Sequence, residues 1–344
     1  MFWTRLVAIA ALLVTATLSG AEAPTAHPQR ATWRETYRPP AAIPFPETNP
    51  YTPAKAALGE RLFHDTLLSD DRTRSCASCH SADLAFADGL PRAVGRAGTV
   101  LENHTPSLLN LAVVEGRLGW DGKFPDLEGV SFGPITGSAN MGLTEAEAVR
   151  RVAGDPGYRN AFREAFGEPE VTRERIEQAI ATYERTLVST EAPFDRWIAG
   201  DERAISTAAK RGFDLFNGRA NCAACHSGWA FTDGSFHDIG VAKDGDLGRG
   251  KAIPKSRYLQ HAFKTPGLRE SAGRGSYMHD GSLTSLDAVL DLYSRGGIDR
   301  PSRSLDIRRL DLTAAERADL VAFLKTLNAD RPSHPLVSIL PGRS

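Results

Sequence analysis

Apolar positions along this chain recur mainly at intervals of three and four residues, and few stretches alternate. That period predicts helices with one buried face. Thr52-Pro53 starts one, with Thr as N-cap, Pro in the first turn, and Ala57, Leu58, Leu62 and Phe63 as its apolar face. Thr144 with Glu147 reads as a capping box ahead of Val149 and Val152. After Thr172, the residues Ile176, Ala179, Ile180, Tyr183 and Leu187 keep helical spacing. Ser285 can cap a helix carrying Leu286, Val289, Leu292 and Tyr293, stopped by Gly296-Gly297. Thr313 and Glu316 form a second capping box before Leu320, Phe323, Leu324 and Leu327. The stretches 90–143 and 234–250 read as loop. The expected fold class is mainly α.

At 344 residues the chain suits two domains rather than one small module. Arg5 followed by the apolar run 6–18 and by Ala21-Glu22-Ala23 reads as a signal peptide over 1–23, with cleavage after Ala21 as a variant. The rival reading is an uncleaved membrane anchor. Residues 24–49, rich in Pro, Ala and Thr, read as an extended arm. Pro193 ends a helical region, so two domains are expected over 50–192 and 193–344. No other stretch is long and apolar enough to span a bilayer, which implies export to the periplasm without stable membrane insertion after cleavage. A formal net charge of −1 gives no argument for nucleic acid or a charged membrane surface.

All four cysteines fall in two copies of Cys-x-x-Cys-His: Cys76-Ala77-Ser78-Cys79-His80 and Cys222-Ala223-Ala224-Cys225-His226. In this spacing two thiols add to the vinyl groups of one haem, and the His falls under the iron. Two covalently bound c-type haems are therefore expected, held by Cys76, Cys79 and His80 and by Cys222, Cys225 and His226. A zinc site or a disulfide is the alternative use of such motifs. The surroundings repeat as well. Gly59 to Phe63 precedes the first motif and Gly212 to Phe216 the second, and Ala-Phe-x-Asp-Gly follows each, at 85–89 and 230–234. The chain reads as a duplicated cytochrome c unit, with a helix leading into the haem-binding loop each time.

Five further segments carry a family resemblance: Thr105-Pro106-Ser107-Leu108, Trp120-Asp121-Gly122-Lys123, Gly133-Pro134-Ile135, the run from Phe263 to Arg269, and the run from Tyr277 to Leu283. With both haem motifs, they make the chain resemble the bacterial dihaem cytochrome c peroxidases and MauG-type dihaem enzymes over roughly 46–330. The resemblance implies an oxidoreductase that uses hydrogen peroxide at the N-terminal haem, with electrons relayed through the C-terminal haem. It implies a reductant that is either a small periplasmic electron-donor protein or a protein substrate. It puts Trp120 between the haems, although an ordinary core aromatic is the rival reading, and it makes Trp120, Pro134 and Asn140 the catalytic set. The sixth ligand of the second haem falls on Tyr293, where peroxidases have Met and the MauG branch has Tyr. Met278 is the alternative ligand. An anionic oxygen donor favours high oxidation states more than a thioether does.

This chain also departs from the family. Arg96 stands where the peroxidases carry a removable distal His, so the first haem is expected to be open. The family's proton-shuttling Glu is Asn140, and its helping Gln is Val130. Asn is neither acid nor base at ordinary pH. Glu128, Glu145 or His104 could substitute, though each reads more readily as a solvated surface residue. The family's calcium ion, held by an Asn and by carbonyls, meets His104 beside Asn103 and a changed sequence near Arg274 and Ser276. Imidazole is a poor calcium ligand, so calcium stays an open expectation. The competing function is a dihaem electron carrier without peroxidase activity.

Overall fold

The computed structural model describes residues 30–330. The expected signal peptide lies outside them. Among the described residues, ten helices carry the architecture: α1 Arg30–Thr36, α2 Pro53–His64, α3 Phe132–Thr136, α4 Glu145–Gly154, α5 Pro156–Phe166, α6 Arg173–Arg185, α7 Pro193–Ala199, α8 Thr207–Asn217, α9 Leu286–Arg295 and α10 Ala314–Lys325. The N-caps bond, and the full capping box forms at Thr313 with Glu316 but not at Thr144, where the Glu147 carboxylate is taken by Arg150 and Arg151 instead. The side chains of Thr52, Thr144, Thr172, Ser285 and Thr313 each accept from the backbone N–H three residues on.

Two helix crossings build the two halves. α2 lies against α6, and α8 lies against α10. Each crossing is closed by a glycine. A Cβ on Gly59 would stand 1.9 Å from the Ala179 carbonyl oxygen, and one on Gly212 would stand 2.0 Å from that of Asp319. Only glycine permits such an approach. The first half buries Leu58, Leu62, Ile135, Phe162, Ile176 and Ile180. The second buries Phe194, Phe213, Phe231, Leu320 and Phe323. Among the described residues, no helix is long and apolar enough to cross a membrane.

The arm differs from its expected form. Within 24–49, residues 30–36 form α1, and Trp33 and Tyr37 enter the second core. Tyr37 is 1% exposed and stacks on Phe231 with ring centroids 4.9 Å apart. Burying two large aromatic rings outweighs the weak helical tendency of the stretch. Three helices beyond those expected also form. α3 is five residues inside the stretch read as loop. α5 has Asp155 as N-cap and Pro156 in its first turn. α7 starts at Pro193, so that proline opens a helix as well as ending the region before it. Within the other expected loop lies β1, Phe236–His237, antiparallel to β2, Phe263–Lys264, with Phe236 opposite Lys264 and His237 opposite Phe263.

The duplication extends to two tight hairpins. Leu118 bridges Phe124 in the first half, and Tyr277 bridges Leu283 in the second. Their turns hold Asp121-Gly122 and Asp280-Gly281, with both glycines at positive φ. Each hairpin is tied across the domain junction to a segment of the other half by reciprocal hydrogen bonds. The Lys264 N–H donates to the Trp120 carbonyl at 2.9 Å, and the His104 N–H donates to the His279 carbonyl at 2.8 Å. Lys264 and His104 each precede a Thr-Pro pair. The junction therefore has approximate two-fold symmetry. A buried ion pair fixes the second half to it: Arg269, 1% exposed, binds Asp195 of α7 at 2.6 and 2.9 Å and donates to the Trp229 carbonyl.

The glycine crossings give a direct test of the helix pairs. Gly59→Ala and Gly212→Ala should each destabilise by about 1–3 kcal/mol or more, because a methyl group has no room. Gly154→Ala in α4, where nothing lies within 4 Å, should be neutral or slightly stabilising. Chemical denaturation of the three variants checks this. Equal effects would refute the close crossings.

Candidate haem sites

Each Cys-x-x-Cys-His motif folds as a single 3-10 turn, Cys76–Ser78 and Cys222–Ala224. In each, the His N–H returns to the first Cys carbonyl, at 3.0 Å for His80 and 2.9 Å for His226. His80 Nδ1 lies 2.9 Å from the Phe86 carbonyl, and His226 Nδ1 lies 2.9 Å from the Phe231 carbonyl. A carbonyl only accepts, so Nδ1 carries the proton and Nε2 keeps a free lone pair. Burial, the largest cause in both cases, lowers the affinity of these rings for a second proton. Neutral imidazole with Nε2 free is the form that binds a metal. Phe86 and Phe231 both have φ of 55°. A bulky residue in the left-handed region costs of order 1–3 kcal/mol, and here it aims the carbonyl at the ring.

The thiols do not suit the rival readings. Burial, the leading cause, pushes Cys76 and Cys222 up to about 12, opposite to the low value of a redox dithiol. The four cysteines are not joined as disulfides. Cys225, Asp233 and His237 do come together, with ligand atoms within 4.8 Å. That group lacks the motif histidine and would use one cysteine of its pair, unlike a structural zinc site.

A cavity of about 680 Å³ opens in front of His80. Cys76, Cys79, His104, Trp120, Val130, Pro134 and Asn140 line it from the first half, and residues 264–278 close it from the second. Four polar atoms of its lining residues are buried without partners: Ser131 Oγ, Asn140 Oδ1, Ser271 Oγ and Arg274 Nε. Burial pulls the Arg274 guanidinium down to about 10. A half-buried guanidinium whose Nε–H is buried and free matches a carboxylate such as a haem propionate. Together with the His80 geometry, this makes the cavity fit a haem.

The expected site residues separate as follows. Trp120 sits at the junction, its indole N–H donating to the His104 carbonyl at 2.7 Å. Pro134 and Asn140 share the cavity wall. Arg96 turns outward to Asp70 at 2.7 Å, and its N–H holds the Ala139 carbonyl. Tyr293 lies on α9 beside the second motif; burial first, and then the Cys222 and Cys225 thiols, raise its phenol above the ordinary range. Met278 lines the cavity in front of His80 instead.

Two of the three substitute acids are not solvated as expected. Glu128 is held by Arg185 at 2.6 and 2.8 Å and by Asn49. Burial works to raise its carboxyl, but these bonds outweigh burial and hold it below the usual range. His104 is 5% exposed and donates from Nδ1 to the Leu90 carbonyl at 2.8 Å. Glu145 is a surface ion pair with Arg173. A committed His104, with the Arg274 cation lining the same cavity, does not make a hard-oxygen calcium site. One residue escaped the sequence reading. Glu184 lines the cavity, is 5% exposed, and is pushed up to about 8, mainly by burial. The similarity of Tyr183-Glu184-Arg185-Thr186-Leu187 to Phe323-Leu324-Lys325-Thr326-Leu327 was the available signal.

Comparison with known proteins matches this arrangement. The family described as di-haem cytochrome c peroxidase matches residues 53–203, and the cytochrome c family matches residues 209–328. Methylamine utilization protein MauG of Methylorubrum extorquens is 48% identical over 95% of this chain and 94% of its own length. Its namesake in Methylophilus methylotrophus is 45% identical over 86% and 88%. The crystal structure of a MauG-like protein associated with microbial copper homeostasis superposes with a TM-score of 0.79 at 31% identity, covering 87% of this chain and 96% of that one. Two cytochrome-c-type domains with two c-type haems, in a chain similar to MauG over nearly its whole length, place this protein in the di-haem cytochrome c peroxidase/MauG family of oxidoreductases.

Proposed function

We propose that the protein is an exported di-haem oxidase. It uses hydrogen peroxide at the haem on Cys76, Cys79 and His80, and the haem on Cys222, Cys225 and His226 relays electrons. The observation that carries this reading is an asymmetry between matched positions. Trp120 and His279 occupy the same place in the two hairpins, and fourteen residues later come Pro134 and Tyr293. Tyr293 offers an oxygen ligand to the second haem. Pro134 offers nothing, and Arg96 is engaged elsewhere, so the first haem keeps an open position. A haem with an open position supplies peroxide binding and oxidation.

The chain's own residues supply the rest. His80 and His226 would hold the two irons through Nε2, the nitrogen left free by the Phe86 and Phe231 carbonyls. Trp120 is held by its indole N–H and by its carbonyl, which fixes the ring between the halves. An indole that loses an electron there keeps its proton, because the His104 carbonyl accepts a hydrogen bond but not a proton. Asn140 can orient a bound peroxide by hydrogen bonding and cannot shuttle its protons.

The reductant is a small electron-donor protein of the periplasm or an oxidisable residue on a protein substrate. Tyr293 favours the second outcome, as does the likeness to MauG, and the name of those relatives makes methylamine utilization the setting. The rival reading, an electron carrier without turnover, draws on Asn140 and Val130. Purified protein that consumes hydrogen peroxide supports the first; failure to consume it supports the carrier.

Two substitutions act on different haems. Asn140→Glu should raise the rate of peroxide consumption, since a positioned acid–base group is typically worth about 10²- to 10⁴-fold. An unchanged rate means another residue already supplies the proton. Tyr293→Met should raise the potential of the low-spin haem and alter its spectrum while leaving the first haem alone. If that spectrum does not change, Tyr293 is not the ligand.

A further inference from the structure

The two units share a helix pair, and matching them residue by residue exposes one chemical change. Tyr183 in α6 packs over Gly59 as Phe323 in α10 packs over Gly212. Three residues on, the Thr186 and Thr326 hydroxyls donate to the carbonyls of Tyr183 and Phe323, each at 2.6 Å. Leu187 and Leu327 follow, both buried. Glu184 therefore stands where the second unit has Leu324.

Leu324 needs no special account. It is 7% exposed and belongs to the apolar cluster that Cys222 packs against. Glu184 sits at the matching place beside Cys76, on the wall of the cavity in front of His80. A buried carboxyl is costly unless it is paired or neutral. Its neighbour Arg185 is engaged bidentately by Glu128. Among the described residues, Glu184 forms no salt bridge.

We propose that Glu184 is the proton-holding residue of the first haem, taking up one proton from solvent when that haem gains one electron and releasing it when the electron leaves. It would supply the ionisable group that position 140 lacks. The proposal rests on the reading that the first motif carries the reactive haem.

The direction follows from charge. Burial is the main cause that lifts the carboxyl to about 8, with Arg185 opposing and Glu128 adding to it. The other titratable groups nearby are Cys76 on the motif loop, Tyr183 on the same helix, and Glu60 and His64 on α2, which face Tyr183. A more positive iron favours the carboxylate, and a reduced iron favours the neutral acid. Reduction coupled to protonation makes the potential of the first haem fall as pH rises. Leu324, at the matching place in the second unit, has no proton to exchange.

The test is spectroelectrochemical titration of the holoprotein between about pH 6 and pH 9, comparing wild type with Glu184→Gln and Glu184→Leu. The Leu variant copies the second unit, and the Gln variant keeps the shape. Haem staining checks that both retain two haems, and the Gln variant decides if the Leu variant loses one. The expected result is a falling potential for the first haem in wild type, a flat one in the variants, and an unchanged second haem. A slope that persists in the variants, or that is absent in wild type, overturns the proposal. Cyanide binding by oxidised wild type separates the two layers. If cyanide binds and the slope test fails, only the role of Glu184 is wrong; if cyanide does not bind, the reading of the first haem is wrong.

Discussion

A histidine that holds iron has to offer one ring nitrogen and give the other a partner. In both halves of this protein that partner is the carbonyl of a phenylalanine in the left-handed region, Phe86 or Phe231. Two strained residues of this kind persist only where their surroundings over-determine them. Both rings are buried: Phe86 packs with Phe63 and Tyr183, and Phe231 with Phe213, Phe216 and Phe323. The helix pairs closed by Gly59 and Gly212 supply those partners. The histidine geometry, the strained loop and the glycine crossing are thus one device, used twice.

Function arises where the copies stop matching. Trp120 answers to His279 at the matched hairpin position, Pro134 to Tyr293, and Glu184 to Leu324. Each change places in one half a group that the other half cannot use. The reciprocal bonds from Lys264 to Trp120 and from His104 to His279 keep the halves in register.

Much of this was legible in the sequence. Caps at Thr52, Thr144, Thr172, Ser285 and Thr313 fixed helix starts, because a side-chain oxygen followed by an apolar period has few other uses. The haem motifs were legible from chemistry alone. The arm was not, since the burial of Trp33 and Tyr37 depends on a core formed some 160–290 residues later. Asp155-Pro156 was a readable start for α5 that the short apolar pattern obscured. Glu128 and His104 looked solvated because their partners, Arg185 and the Leu90 carbonyl, are distant in sequence or on the backbone. The ion pair of Arg96 with Asp70 could not be read from spacing, because the two residues lie 26 positions apart. Glu184 was hidden because residues 183–187 resemble 323–327 less closely than the two haem motifs resemble each other.

The central claim is that one duplicated scaffold holds two haems in different coordination states, set by Pro134 in one half and Tyr293 in the other. Low-temperature electron paramagnetic resonance of the fully oxidised protein tests it most directly. The account predicts one high-spin and one low-spin ferric signal in equal amounts, each integrating to one haem per chain. Two low-spin signals would mean that an unrecognised ligand caps the iron on His80, and would contradict it.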